Sequence, residues 1–136
     1  MSDKAAKAAI YLDSSMIIAL VAEDDPHHGA AVRLVRPAQR TTVTSSVTEV
    51  EVGRSLMRRA APRSVQQAAR ELLVRCEVVE LTAEIRSEAV KVRPSSVRSL
   101  DAIHVASALA GGITEFASFD LRQRVAAEEM GLKLLA

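Results

Sequence analysis

The 136-residue chain has no tryptophan, one tyrosine, two phenylalanines and a single cysteine, Cys76. One cysteine excludes an internal disulfide, disfavours a zinc cluster and fits a reducing, intracellular address. With aromatics at 2%, a core has to be built from Val, Leu, Ile and Ala. Long apolar runs are also lacking. Ser14 to Ala22, the longest charge-free stretch near the N-terminus, is too short to span a bilayer and is closed by Glu23-Asp24-Asp25. Lys4 and Lys7 precede no signal-peptide core, because Asp13 interrupts the apolar run behind them. These absences predict a cytoplasmic protein with no membrane span. Glycine-rich turns are missing as well: the first strand runs into Asp13-Ser14-Ser15, which excludes a P-loop or dinucleotide fingerprint.

What is present is an ordinary globular composition, 49% hydrophobic and 26% charged, enough for one domain over 1–136 with 1–7 as a flexible leader. A chain of this size buries roughly two-thirds of its unfolded surface without staples. Net charge is +1, yet between Arg33 and Arg70 eight basic residues face only two acids, Glu49 and Glu51. Such a cluster suits phosphates, although solvated helix faces explain it equally well.

Short β-branched or apolar runs alternate with helical patterns. Strands are expected at Ala8–Leu12, Thr41–Thr44, Val78–Leu81, Glu115–Phe119 and Lys133–Leu135. Seven helices fall between them. The first covers about Ser15–Ala22, and the second runs from an Asp25-Pro26 start to Val35. The third is opened at Val47 by a Ser46/Glu49 capping box and runs to Ala60; the fourth is opened by Ser64 and ends near Cys76. Thr82 caps the fifth, which stops before Arg93-Pro94, and Ser99 caps the sixth, closed by Gly111-Gly112. The seventh covers Leu121–Met130. Apolar strands separated by helices imply an α/β three-layer sandwich around a central, mostly parallel five-stranded sheet. Sites in such sheets form beyond the carboxyl ends of the strands, where strand order reverses.

Two strands end directly in an acid there, at Asp13 and Asp120. Asp101 stands in the first turn of the sixth helix and Glu51 in the second turn of the third. Singly, each has a structural explanation: a cap for Asp13 and Asp120, the helix dipole for Asp101, a solvated face for Glu51. Together, four acids on one pocket repel, an arrangement that a cation compensates, and all-oxygen donors point to Mg²⁺ or Mn²⁺.

Four segments carry a resemblance: Tyr-Leu-Asp-Ser-Ser at 11–15, Ser-Ser-Val-Thr-Glu-Val-Glu-Val-Gly-Arg at 45–54, Ser-Leu-Asp-Ala-Ile-His-Val-Ala-Ser-Ala at 99–108 and Ser-Phe-Asp-Leu-Arg at 118–122. In order and over nearly the whole chain, they resemble the signature segments of PIN-domain ribonucleases, and the length resembles the VapC-type toxins of toxin–antitoxin pairs. The resemblance implies a PIN-like fold and places the catalytic, metal-binding acids at Asp13, Glu51, Asp101 and Asp120. Ser14 and Ser118 would support them, with Ser118 where the family usually has Thr or Ser. Of the two glutamates, Glu49 has its explanation in the capping box, and Glu51 has the spacing to Arg54 that the resemblance requires.

The implied activity is Mg²⁺-dependent endoribonuclease cleavage with metal-activated water, Mn²⁺ being a possible substitute, inhibiting translation and growth. The implied partners are RNA, a VapB-type antitoxin and a second copy in a homodimer. Arg54, Arg58 and Arg59 are expected to hold RNA, Arg54 alternatively orienting Glu51. His104 is expected to pack or to support the site, and His27 and His28 to be solvated. The alternative is a non-catalytic PIN-like module binding RNA or protein; the presence of all four acids argues against it.

Overall fold

A computed structural model describes residues 9–35 and 40–135. The leader expected over 1–7 lies outside the described residues. The elements run β1 (Ala9–Leu12), α1 (Ser14–Val21), α2 (His28–Val35), β2 (Thr41–Ser45), α3 (Ser46–Arg58), α4 (Arg63–Arg75), β3 (Glu77–Val79), α5 (Ala83–Val90), α6 (Ser99–Ala110), β4 (Glu115–Ala117), α7 (Leu121–Glu129) and β5 (Lys133–Leu135). No helix among the described residues is long and apolar enough to cross a membrane.

The five strands form one sheet of order β3-β2-β1-β4-β5 with every neighbouring pair parallel. Central β1 is buried on both faces. Ile10 and Leu12 enter one core with Met16, Ile17, Val52 and Leu56, while Tyr11 enters the other with Phe116, Val105, Ala106 and Ala126. That division follows from the strand's period of two, and it explains why β1 reads as an unbroken apolar run. Each such fully buried side chain stabilises the fold by roughly 1.5–3 kcal/mol. Helices α1, α2, α3 and α4 supply the first layer, and α5, α6 and α7 the second.

Chain order makes β1 the turning point: β2 and β3 extend the sheet to one side, β4 and β5 to the other. Leu12 pairs with Ala117, so the residues that follow, Asp13 and Ser118, leave adjacent strands at the same level. A bond from Asp13 N to Ala117 O at 3.3 Å continues the ladder one step beyond the pairing.

Several helix starts differ from expectation. The cap of α3 is Ser45, whose side chain accepts from Val47 N at 3.2 Å; Ser46 is already helical, so no Ser46/Glu49 capping box forms. Ser45 closes β2 in extended geometry (φ −101°, ψ 154°), the conformation a capping side chain needs. α4 begins at Arg63 after Pro62, and α6 at Ser99 after Arg98, neither with a side-chain cap. The Asp25-Pro26 segment is a turn in which Asp25 Oδ1 accepts from His27 N at 2.8 Å, and α2 starts only at His28. Thr82 caps α5 as expected, accepting from Ile85 N at 3.2 Å. Past the ends of α6 and α7 stand Gly112 and Gly131, with φ of 71° and 92°, where a side chain would strain the turn.

Candidate active site

The structure brings Asp13, Glu51, Asp101 and Asp120 to the wall of one cavity of about 430 Å³, which Ser14, Ser15, Arg98, Ser99, Leu100 and Gln123 also line. It lies at the carboxyl ends of β1 and β4, where the strand order reverses.

Asp13 is fully buried and caps α1: Oδ1 accepts from Met16 N at 2.9 Å and from Ser15 Oγ at 2.8 Å, and Oδ2 from Ser118 Oγ at 2.6 Å. Burial pushes its carboxyl above the ordinary range, against the pull of His104 and of these hydrogen bonds. Asp120 caps α7, Oδ1 accepting from Arg122 N at 2.9 Å and Gln123 N at 3.3 Å. The structural explanation for these two acids is therefore real, and it is compatible with a site: each cap is also a wall of the cavity. Ser118 joins them, because its Oγ also accepts from Asp120 N at 3.0 Å. Ser15 adds a second tie, accepting from Phe119 N at 3.0 Å.

Asp101 is 4% exposed, in the first turn of α6. Oδ1 accepts from Gln123 Nε2 at 3.0 Å, and Arg98 Nε stands 3.5 Å from Oδ2. Glu51 reaches the cavity from α3, which is pinned to β1 through Thr44: Thr44 Oγ1 lies 2.7 Å from both Leu12 O and Thr48 Oγ1. Glu51 Oε1 accepts from Ser14 Oγ and, at 2.6 Å, from His104 Nε2. Burial opposes ionising Glu51, yet the hydrogen bonds from His104 and Ser14 outweigh it and hold the carboxyl below its ordinary range. Glu49, two positions away, is exposed and lines no part of this cavity.

Arg54 and Arg58 line an adjoining, more apolar groove with Ile18, Val47, Val50 and Leu100, a groove that shares Ser14 and Glu51 with the acidic cavity. Arg59 stands apart from Arg54 and Arg58: it is the C-cap of α3 and lies 3.8 Å from Asp25 Oδ2. His28 is not simply solvated either, since its Nδ1 bonds Ala19 O at 2.8 Å, and His27 stacks on Phe119 with ring centroids 4.3 Å apart. Sequence analysis missed Gln123, Arg98 and Tyr11, whose hydroxyl lies 2.7 Å from His104 Nδ1. For Gln123 the available signal was its place three residues after Asp120, inside the turn that the cap organises.

As for a metal, the donors are all oxygens, yet among the described residues no three Asp, Glu, His or Cys side chains stand close enough to form a ligand cluster. That excludes a dry protein cage. It suits a cation such as Mg²⁺, which takes one or two carboxylates and fills its shell with water and phosphate oxygens. Gln123 Oε1, buried beside Asp101 with no partner among the described residues, is an acceptor for such water.

Residues 10–129 match the family model of the PIN domain. The chain belongs to the PIN-domain family, among its VapC-type ribonucleases. It is 33% identical over 131 residues to Ribonuclease VapC35 of Mycobacterium tuberculosis, covering 93% of this chain and 96% of that one. Among solved structures it is similar to M. tuberculosis VapC20, a sarcin–ricin-loop-cleaving toxin, at TM-score 0.73 and 27% identity over 86% of this chain and 94% of that one. A toxin–antitoxin complex from Klebsiella pneumoniae shares the fold, with TM-score 0.70 and 16% identity over 93% and 96% of the two chains.

Proposed function

We infer that this protein is the ribonuclease toxin of a toxin–antitoxin pair, cleaving RNA phosphodiester bonds with Mg²⁺ and so inhibiting translation and growth. The observation that carries this reading is the gathering of Asp13, Glu51, Asp101 and Asp120 around one cavity at the switch point of the sheet. Ribonucleases of this family generally depend on a divalent metal. Mg²⁺, with Mn²⁺ as a substitute, would be held by these carboxylates and would supply an activated water and charge stabilisation at the scissile phosphate.

The chain's own residues do the rest. Ser15 and Ser118 fix both oxygens of Asp13, and Ser118 also fixes the backbone that carries Asp120. Gln123 and Arg98 hold Asp101 from opposite oxygens. Four carboxylates held this way repel one another, a cost that cation binding removes. Arg54 and Arg58, in the groove beside Glu51, would take RNA backbone phosphates.

The same groove, walled by Ile18, Val47, Val50 and Leu100, suits an apolar segment of a VapB-type antitoxin. A homodimer in the cytoplasm completes the proposal.

The test is growth. Induced expression of the wild-type chain arrests a bacterial culture, and Asp101→Asn does not. An Asp101→Asn variant that arrests growth as strongly contradicts the reading.

A further inference from the structure

The chain's one tyrosine lies under the site. Tyr11, fully buried in the middle of β1, stacks on Phe116 with ring centroids 5.2 Å apart and directs its hydroxyl to His104 Nδ1 at 2.7 Å. His104, also fully buried, sits one turn along α6 from Asp101 and meets Glu51 Oε1 through Nε2 at 2.6 Å. Both imidazole nitrogens are therefore engaged, one toward the core and one toward the cavity. The two bonds Glu51 accepts fall on the same oxygen, Oε1, so Oε2 has no protein partner among the described residues.

A buried imidazole between a phenol and a carboxylate has few ways to arrange its protons. A phenol carries its proton at neutral pH, and the Tyr11 hydroxyl, 2.7 Å from Nδ1, donates it there. Nδ1 then accepts, which leaves the imidazole proton on Nε2, aimed at the carboxylate. The hydroxyl of a core tyrosine thus bears on which imidazole nitrogen carries the proton.

We propose that Tyr11 and His104 are positioning residues for Glu51: the Tyr11 hydroxyl fixes the tautomer of His104, whose Nε2–H pins Glu51 Oε1 and leaves Oε2 for the divalent cation or its water. This rests on the metal-dependent ribonuclease reading only for its last step. Groups that orient a ligand carboxylate in this way are worth about 10–100-fold in metal affinity or activity when lost.

Tyr11→Phe removes one hydroxyl and keeps the ring stacked on Phe116, so it separates orientation from packing. His104→Gln, whose amide N–H reaches toward the place of Nε2–H, is the conservative replacement, and His104→Leu removes the donor. Three readouts apply: long-range proton–nitrogen spectra of histidine-labelled protein at one fixed pH, Mn²⁺ binding by calorimetry without RNA, and RNA cleavage kinetics. The His104 resonances are identified by their loss in His104→Gln.

In the wild type, His104 is expected as the pure Nε2–H tautomer, and in Tyr11→Phe as a mixture. Tyr11→Phe is expected to weaken Mn²⁺ binding about tenfold and to lower kcat more than it changes KM. His104→Gln should retain more Mn²⁺ affinity than His104→Leu. A wild-type Nδ1–H tautomer overturns the proposal, as does Tyr11→Phe with unchanged tautomer and unchanged Mn²⁺ affinity. A wild type that cleaves no RNA, while its tautomer and Mn²⁺ affinity still depend on Tyr11, overturns the ribonuclease reading and leaves the relay standing.

Discussion

Ser118 Oγ donates to Asp13 Oδ2 at 2.6 Å and accepts from Asp120 N at 3.0 Å, so one hydroxyl joins the acid that follows β1 to the acid that caps α7. Both Ser118 and Asp13 are fully buried. Removing the hydroxyl leaves a buried carboxylate oxygen short of a donor, which costs about 1.5–3 kcal/mol. Ser118→Ala is therefore expected to lower both stability and activity, while Ser118→Thr, which keeps the hydroxyl, retains most of each. Denaturant unfolding and RNA cleavage on the two variants check this; equal losses in both variants contradict it.

The two glutamates of α3 are about 200° apart around the helix, so they cannot share a face. Glu49 is exposed in the first turn, where it gains only the helix dipole, and Glu49→Gln should cost about 0.3–1 kcal/mol with cleavage unchanged. Glu51→Gln weakens the bonds from His104 and Ser14, costing about 1 kcal/mol, and removes a charge from the cavity. Its Mg²⁺-dependent cleavage should fall by at least an order of magnitude. Melting and cleavage of the two variants side by side decide the matter, and an inactive Glu49→Gln beside an active Glu51→Gln would contradict the assignment.

Asp13 gives a pH dependence of definite sign. Its folded value is raised above the ordinary 3.8, so the native state holds this proton more tightly than the unfolded chain does. Its contribution is favourable at low pH and is lost as pH rises through the raised value. The melting temperature of the wild type in EDTA, relative to Asp13→Asn, should therefore fall as pH rises past 3.8. Mg²⁺ should reverse that fall in the wild type alone, because it binds the ionised native site. A flat difference curve contradicts the account.

Much of this was legible in the sequence, for identifiable reasons. Asp13 is legible because a buried apolar strand stops at an acid; for Asp120 the expected strand over 115–119 is too long, since β4 ends at Ala117 and Ser118-Phe119 lead to Asp120 as the cap of α7. Helix starts were less legible where serines compete: Ser45 and Ser46 are equivalent in sequence, and only the pairing of Ser45 with Val79 makes it the extended residue able to cap. The Ser46/Glu49 box fails for that reason, and of the two glutamates Glu51 lines the cavity. His104 looks like a stray polar residue in an apolar helix and Gln123 like one more polar residue of a charged one, because their partners come from β1, α3 and α6 across the fold. Arg59 looked like its neighbours Arg54 and Arg58, but the helix ends there and turns it to Asp25.

The central claim is that the four carboxylates form one metal-dependent RNA-cleaving site. It is tested most directly by incubating total RNA with purified wild-type protein in Mg²⁺, in EDTA, and in EDTA followed by excess Mg²⁺, beside Asp13→Asn and Asp101→Asn in Mg²⁺. The account predicts cleavage in the first and third conditions only, with both variants inactive. Undiminished cleavage in EDTA, or by either variant in Mg²⁺, would contradict it.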